Sequence, residues 1–122
     1  MKIRIRGNTV RYRLSKSEVT TLAQRGRIEE QTRFGTQTLV YAIVQTDALD
    51  LSADLIDHII TLHVPKKQLQ TWAATDQVGL EHRMPLEAED SLHLLLEKDF
   101  KCIDADVSED QSDFFENPHL TC

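Results

Sequence analysis

Three side chains near the end of the chain are of the types that bind zinc. Cys102, His119 and Cys122 offer thiolate and imidazole ligands, and two residues separate His119 from Cys122, a common spacing for a ligand pair within a turn. A structural zinc ion needs a fourth ligand. The candidates for it are His82, His93 and Asp113. A cysteine that follows a strand is more often a small buried apolar side chain. The sequence therefore favours no cofactor and keeps zinc as the alternative.

Five basic residues alternate with apolar residues in the opening stretch MKIRIRGNTVRYRL. The alternation places Lys2, Arg4 and Arg6 on one face of a strand, and Arg11 and Arg13 on the matching face of the next strand. Because guanidinium groups bind phosphate oxygens in pairs, this surface is a candidate anion-binding site. The residues assigned to it are Arg4, Arg6, Arg11 and Arg13. The favoured interpretation is a solvated outer face, or one covered by the acidic part of the same chain.

Nucleic acid is an unfavoured ligand for this surface. Sheets that bind nucleic acids usually add aromatic side chains for base stacking, and Tyr12 would lie on the opposite, apolar face. The formal net charge of −6 also argues against it.

Catalytic motifs are absent from the sequence. The 4 glycines are scattered, so there is no phosphate-binding glycine loop, and neither a nucleophile elbow nor HExxH occurs. Glu30 interrupts the apolar alternation of its predicted strand and is expected to be a buried or half-buried carboxylate, with Arg33 or His82 as its partner. Whether the chain is an enzyme stays open.

The 122 residues are enough for one domain with a core of its own. Residues 1–33 hold nine basic and three acidic residues, a net charge of +6, and the rest of the chain is at −12. No apolar run approaches 18 residues, which predicts no membrane span. The basic N-terminus lacks the continuous apolar stretch of a signal peptide, which predicts a cytoplasmic protein.

The first half of the chain predicts two hairpins around one helix. Gly7-Asn8 supplies the turn of the first hairpin, and Gly35 that of the second. Between the hairpins, Ser15 and Glu18 form a capping box for a helix that Gly26 ends.

The second half repeats this pattern with a shift of 50 residues. Val10, Tyr12 and Leu14 match Ile60, Leu62 and Val64, and the helix positions Leu22 and Ala23 match Trp72 and Ala73. We therefore predict an α+β fold, mostly antiparallel β, with two ββαββ units at residues 1–46 and 51–98 related by a pseudo-twofold duplication. The eight strands would form two sheets or one curled, barrel-like sheet over two short helices, with Trp72 and Leu22 near the axis.

Residues 103–122 have no counterpart in the repeat and form an acidic extension. The segment contains no glycine, which excludes the calcium-loop pattern. Two adjacent phenylalanines, Phe114 and Phe115, would be costly in a solvated tail, so we predict a strap in which one of them docks and the acids approach the basic residues. A free tail and a partner-binding segment are the alternatives.

Four stretches carry a family resemblance. MKIRIRGNTVRYRL, WAATDQVGLE, and EKDFKC with EDQSDFFENP resemble a small family of uncharacterised bacterial proteins of about this length. The resemblance covers nearly the whole chain and implies a stand-alone, cytoplasmic bacterial domain to which the tail belongs. It implies no activity, cofactor or catalytic residue.

Two functions from different classes follow. The favoured one is a small non-enzymatic binding or accessory domain that recognises a partner protein or an anionic ligand. The alternative is a metal-dependent protein or small enzyme with its site at the C-terminal cysteine, histidine and acidic cluster. A homodimer through an unpaired strand edge stays open.

Overall fold

The computed structural model describes residues 1–100 and 112–116. In these residues each half of the chain runs strand, strand, helix, strand, strand. The first half contains β1 (Lys2–Arg6), β2 (Thr9–Leu14), α1 (Lys16–Arg25), β3 (Arg27–Phe34) and β4 (Gln37–Thr46). The second contains β5 (Ser52–Ile56), β6 (Ile59–Pro65), α2 (Lys66–Ala74), β7 (Gly79–Pro85) and β8 (Ser91–Lys98). The predicted α+β composition with two short helices is confirmed.

The strands form two open, mixed sheets of four strands each. Sheet 1 has the order β1-β2-β8-β7, and sheet 2 has the order β3-β4-β6-β5. The hairpins are antiparallel, and the two central pairs, β2 with β8 and β4 with β6, are parallel. The prediction of one curled or barrel-like sheet is wrong, because each helix carries the chain from one sheet to the other. Each sheet therefore takes one hairpin from each half.

The two halves have equivalent strand registers as well as the same element order. Thr9 pairs with His93 across the β2–β8 ladder, and Val40 pairs with Ile59 across the β4–β6 ladder. Thr9 and Ile59 are 50 positions apart, and Val40 and His93 are 53 apart, so the second half contains three extra residues between the two ladders.

Helix α1 begins and ends at the residues that the sequence predicts. The backbone N–H of Ser15 donates to Glu18 Oε1 at 2.9 Å, which is one half of the capping box. Gly26 ends the helix with φ of +74°, a left-handed conformation that favours glycine. An added Cβ there would come within 2.8 Å of the flexible end of the Gln45 side chain, which can shift, so the left-handed φ is what favours glycine.

The core lies between the two sheets and the helices. Trp72, Leu22 and Tyr12 are 0% exposed, and they belong to one cluster of buried side chains to which both sheets contribute. Trp72 and Leu22 are thus both buried, and their position near a pseudo-twofold axis stays a prediction. The same alternation that buries Tyr12 directs its neighbours Arg11 and Arg13 to the outer face of sheet 1.

Residues 112–116 pack beside the start of α1. Asp113 accepts a hydrogen bond from the Lys16 N–H at 3.0 Å through its carbonyl and one from Ser17 Oγ at 2.6 Å through its carboxylate. The hydrogen bonds from Ser17 hold the pKa of Asp113 below its usual value. Phe115 packs against the core, and its N–H donates to the Asp99 carbonyl at 2.7 Å. The rest of the predicted strap lies outside the described residues.

Replacing Phe115 by alanine is expected to destabilise the protein more than replacing its neighbour Phe114. The ring of Phe115 contacts the core and stacks edge-on against Phe100 at 5.8 Å between centroids. The Phe114 ring lies under the Lys2 ammonium at 4.4 Å, outside the core cluster. We expect Phe115→Ala to cost about 1–3 kcal/mol and to lower the melting temperature by several degrees. Equal shifts for the two variants would show that Phe115 does not anchor the segment.

Candidate anion-binding face

The first hairpin places five cations on one side of sheet 1. Lys2, Arg4 and Arg6 of β1 share the outer face with Arg11 and Arg13 of β2. We call these five residues the basic face. The predicted grouping of Arg4, Arg6, Arg11 and Arg13 on one surface thus agrees with the strand pairing.

The register sets like charges directly opposite each other. Arg4 pairs with Arg11, and Lys2 pairs with Arg13. Side chains in directly opposite positions lie roughly 5 Å apart at Cβ, and like charges there destabilise a hairpin. A bound anion between the guanidinium groups would relieve this repulsion.

Acidic side chains neutralise one end of the basic face. Glu97, on the neighbouring strand β8, lies 3.1 Å from Arg11 Nε and 3.9 Å from Arg13 Nε through its Oε1 atom. Lys2 Nζ lies 3.0 Å from Asp99 Oδ2. Because one carboxylate serves both arginines, the acidic side chains of residues 1–100 and 112–116 leave the face with an excess of positive charge.

The other end of the face has no such neutralisation within residues 1–100 and 112–116. No ion pair there involves Arg4 or Arg6. These two arginines line a shallow cavity of about 190 Å³ together with Thr9 and Arg11. Three guanidinium groups and a hydroxyl are all hydrogen-bond donors, and guanidinium binds carboxylate and phosphate oxygens in a bidentate manner.

Sequence reasoning missed Thr9 and Glu97 as members of this site. Thr9 lies opposite Arg6 at the closing pair of the hairpin. Its alternation with Arg11 and Arg13 could have assigned it to the same face. Glu97 reaches the face only through the parallel pairing of β2 with β8, in which Arg13 pairs with Glu97. No local signal links residues this far apart in the chain.

Of the two environments predicted for Glu30, buried or half-buried, full burial is wrong. Its side chain is 44% exposed, and its partner is the Met1 amino group at 2.8 Å rather than Arg33 or His82. Burial lowers the pKa of this amine, but hydrogen bonds and charges from Glu18 and Glu30 outweigh burial and raise it. The alternation breaks at Glu30 because β3 is an edge strand whose outer half is exposed.

The histidines His58, His63 and His93 of the second half lie in a turn or in pairs across strands. Asp57 and His58 form the tight turn of the β5–β6 hairpin with φ of +49° and +66°. His63, 50 positions after Arg13, lies on the outer face with Nε2 3.0 Å from Asp54 Oδ2. His93 Nε2 lies 2.9 Å from Glu81 Oε2. These contacts are pairs across neighbouring strands, which stabilise sheets.

The predicted metal ligands Cys102, His119 and Cys122 lie outside the described residues. In the part of the chain that the structure describes, no group of three or more histidine, cysteine, aspartate or glutamate side chains is arranged to hold a metal ion. Zinc therefore stays an untested alternative to the predicted absence of a cofactor, and the enzymatic alternative built on that cluster is also untested. No helix in the described part is both long and apolar enough to cross a membrane.

The fold and this surface define a small two-sheet α+β domain with a cationic face on one hairpin. A family model matches residues 1–119, and the chain belongs to that family, a family of unknown function, DUF7009. No curated protein and no solved structure matches the chain significantly. The predicted membership in an uncharacterised family is confirmed, and bacterial origin and cytoplasmic location stay predictions.

Proposed function

We propose that the protein is a non-enzymatic binding domain that recognises an anionic group of a partner or ligand through the basic face. The observation that carries this proposal is the cavity in which Arg4, Arg6 and Arg11 converge without an acidic partner for Arg4 or Arg6 among the described residues. An oxyanion placed there would accept several charge-assisted hydrogen bonds, each worth about 1.5–3 kcal/mol.

The second hairpin of the same architecture supports this proposal as an internal comparison. Its register repeats that of the first: Ser52 pairs with His63 and Asp54 pairs with Thr61, where Lys2 pairs with Arg13 and Arg4 pairs with Arg11. The five positions equivalent to the basic face hold the residues Ser52, Asp54, Ile56, Thr61 and His63. Because this hairpin folds without a single lysine or arginine at those positions, the architecture does not require the cations.

We also propose that the two halves arose by internal duplication. The shared element order and the equivalent registers of the two parallel ladders support this origin. In that case the cations distinguish one copy of the hairpin from the other, as expected of a surface that serves binding in one copy only.

Titration of the full chain with inorganic pyrophosphate, followed by calorimetry at low ionic strength, tests the proposed function. We expect Arg4→Ser/Arg6→Ser to weaken binding by about ten-fold or more, because two charge-assisted donors are lost. Raising the ionic strength to physiological values is expected to weaken binding further, because these groups are solvent-exposed and screened.

The matched control is Arg25→Ser/Arg33→Ser, which removes the same charge from exposed positions elsewhere on the surface. It is expected to leave pyrophosphate affinity within about two-fold of the unmodified chain, since screening limits long-range effects. If both double variants lose affinity equally, net charge rather than the basic face governs binding, and the proposal fails.

A further inference from the structure

The backbone edge of β1 runs alongside the basic face. β1 is the outermost strand of sheet 1, and no strand of residues 1–100 or 112–116 pairs with its outer edge. In an antiparallel pair, hydrogen-bonded and non-hydrogen-bonded positions alternate. Arg6 and Thr9 close a two-residue turn and form a hydrogen-bonded pair, so Arg4 also bonds to β2. Ile3 and Ile5 therefore direct their N–H and C=O groups away from the sheet.

The two sides of this edge differ in chemistry. Arg4 and Arg6 lie on the outer side. Ile3 packs against the core on the inner side, and Ile5, two residues further along, is 60% exposed. A strand added along this edge would place alternate side chains beside the arginines and the others beside Ile5.

We propose that β1 receives an extended acidic segment of a partner protein as a fifth strand of sheet 1, with acidic residues beside Arg4 and Arg6 and apolar residues beside Ile5. Strand addition combines main-chain hydrogen bonds for affinity with alternate side-chain contacts for specificity. The proposal rests on the proposed function, because the acidic side chains occupy the anion site of the basic face.

The positive charges on β1 favour an acidic partner segment over a second copy of the chain. Pairing β1 with β1 of another molecule would set cations beside cations, which is unfavourable. Charge also selects β1 over the corresponding edge of sheet 2. β5 carries Asp54 at the position equivalent to Arg4 and has Leu55, 68% exposed, at the position equivalent to Ile5. An acidic strand added along β5 would contact the apolar Leu55 side chain but would find no cation beside it.

Two fluorescein-labelled, end-capped peptides of identical composition test the inference on the full chain by fluorescence anisotropy. One alternates glutamate and valine over eight residues, and the other has its glutamates in one block and its valines in another. Strand addition predicts that the alternating peptide binds at least about ten-fold more tightly, because only it can present acids to one side and apolar groups to the other.

Ile5→Pro is the variant that separates strand addition from simple charge attraction. Proline removes the outward N–H of Ile5 but no hydrogen bond to β2, and proline is tolerated on edge strands in this orientation. We expect Ile5→Pro to lower the affinity for the alternating peptide at least about ten-fold. The matched control, Leu55→Pro, makes the same change at the equivalent position of β5 and is expected to leave the affinity unchanged.

A second measurement does not depend on any variant folding. Strand addition predicts that saturating alternating peptide slows hydrogen exchange at the Ile3 and Ile5 amides, while the Leu55 amide is unaffected. If neither isoleucine amide gains protection, the inference is overturned.

The remaining outcomes distinguish the inference from the proposed function. Equal affinity for the two peptides with no effect of Ile5→Pro overturns strand addition and leaves anion binding standing. Binding of pyrophosphate but of neither peptide also overturns the inference alone, and binding of neither peptide nor pyrophosphate overturns both. Binding only to vesicles that contain an anionic lipid identifies a membrane surface, and a dimer that Ile5→Pro disperses identifies a second copy. Either result overturns the inference.

Discussion

Trp72→Ala is expected to lower the free energy of unfolding by about 3–5 kcal/mol, the range for truncating a large buried aromatic side chain. The ring is 0% exposed within the core cluster, and its indole N–H donates to the Val78 carbonyl at 3.1 Å. The substitution also removes the contact between the ring and the Lys98 ammonium, which lies 5.8 Å from the ring centroid. Such a loss is a large share of the stability of a domain this size. Urea denaturation followed by circular dichroism measures it.

Two further variants show which part of Trp72 matters. Trp72→Phe keeps an aromatic ring and loses the indole N–H, while the Val78 carbonyl keeps its hydrogen bond from the Lys98 N–H at 3.1 Å. We therefore expect less than half the loss of Trp72→Ala. Leu49→Ala, at a position 87% exposed, is the control and is expected to change stability by no more than about 0.5 kcal/mol. A loss below about 1 kcal/mol for Trp72→Ala would contradict the placement of this ring in the core.

Between pH 10 and pH 12, the free energy of unfolding is expected to fall by about 2 kcal/mol through Tyr12 alone. Burial raises the pKa of the Tyr12 hydroxyl from 10.0 to about 12, and the charge of Asp54 adds to the shift. Below pH 10 the residue is neutral in both states, so the contribution is fully present there. Above pH 10 the unfolded chain releases this proton and the folded chain retains it, so stability decreases until the pH reaches the folded-state pKa.

Comparison of the unmodified chain with Tyr12→Phe isolates this effect from the other groups that titrate at alkaline pH. The Tyr12 hydroxyl is buried without a hydrogen-bond partner among the described residues, so phenylalanine loses no hydrogen bond. The stability of the variant is expected to be equal or higher at pH 7 and to exceed that of the unmodified chain increasingly above pH 10. Tyr41→Phe is the control, since the Tyr41 hydroxyl lies 3.1 Å from Thr32 Oγ1 on a partly exposed surface. Parallel pH profiles for the unmodified chain and Tyr12→Phe would refute the prediction.

The first hairpin turn and the two ends of helix α1 could be predicted because each depends on residues close together in the sequence. The Gly7-Asn8 turn, the capping box of Ser15 and Glu18, and the stop at Gly26 each depend on contacts within a few residues. Period-two alternation likewise determined that Tyr12 faces inward and that Arg11 and Arg13 face outward. The basic face was predictable for this reason, since it belongs to a single hairpin.

The pairing of strands within each sheet could not be predicted, because alternation specifies the face of the sheet on which a side chain lies but not which strand lies beside it. The exchange of hairpins between two open sheets, with parallel pairs at both centres, depends on how the helices cross the core. That exchange set Glu97 beside Arg11 and left Arg4 and Arg6 without an acidic partner in the described part of the chain. It also exposed the edge of β3, where Glu30 meets the Met1 amine.

The sequence by itself therefore determined the helices, the hairpins and the side of the sheet on which the cations lie. Only the tertiary structure decided which cations are neutralised and which strand edge runs beside them. The physical reason is distance: the first set depends on residues within a few positions of each other, and the second on atoms brought together from opposite ends of the chain.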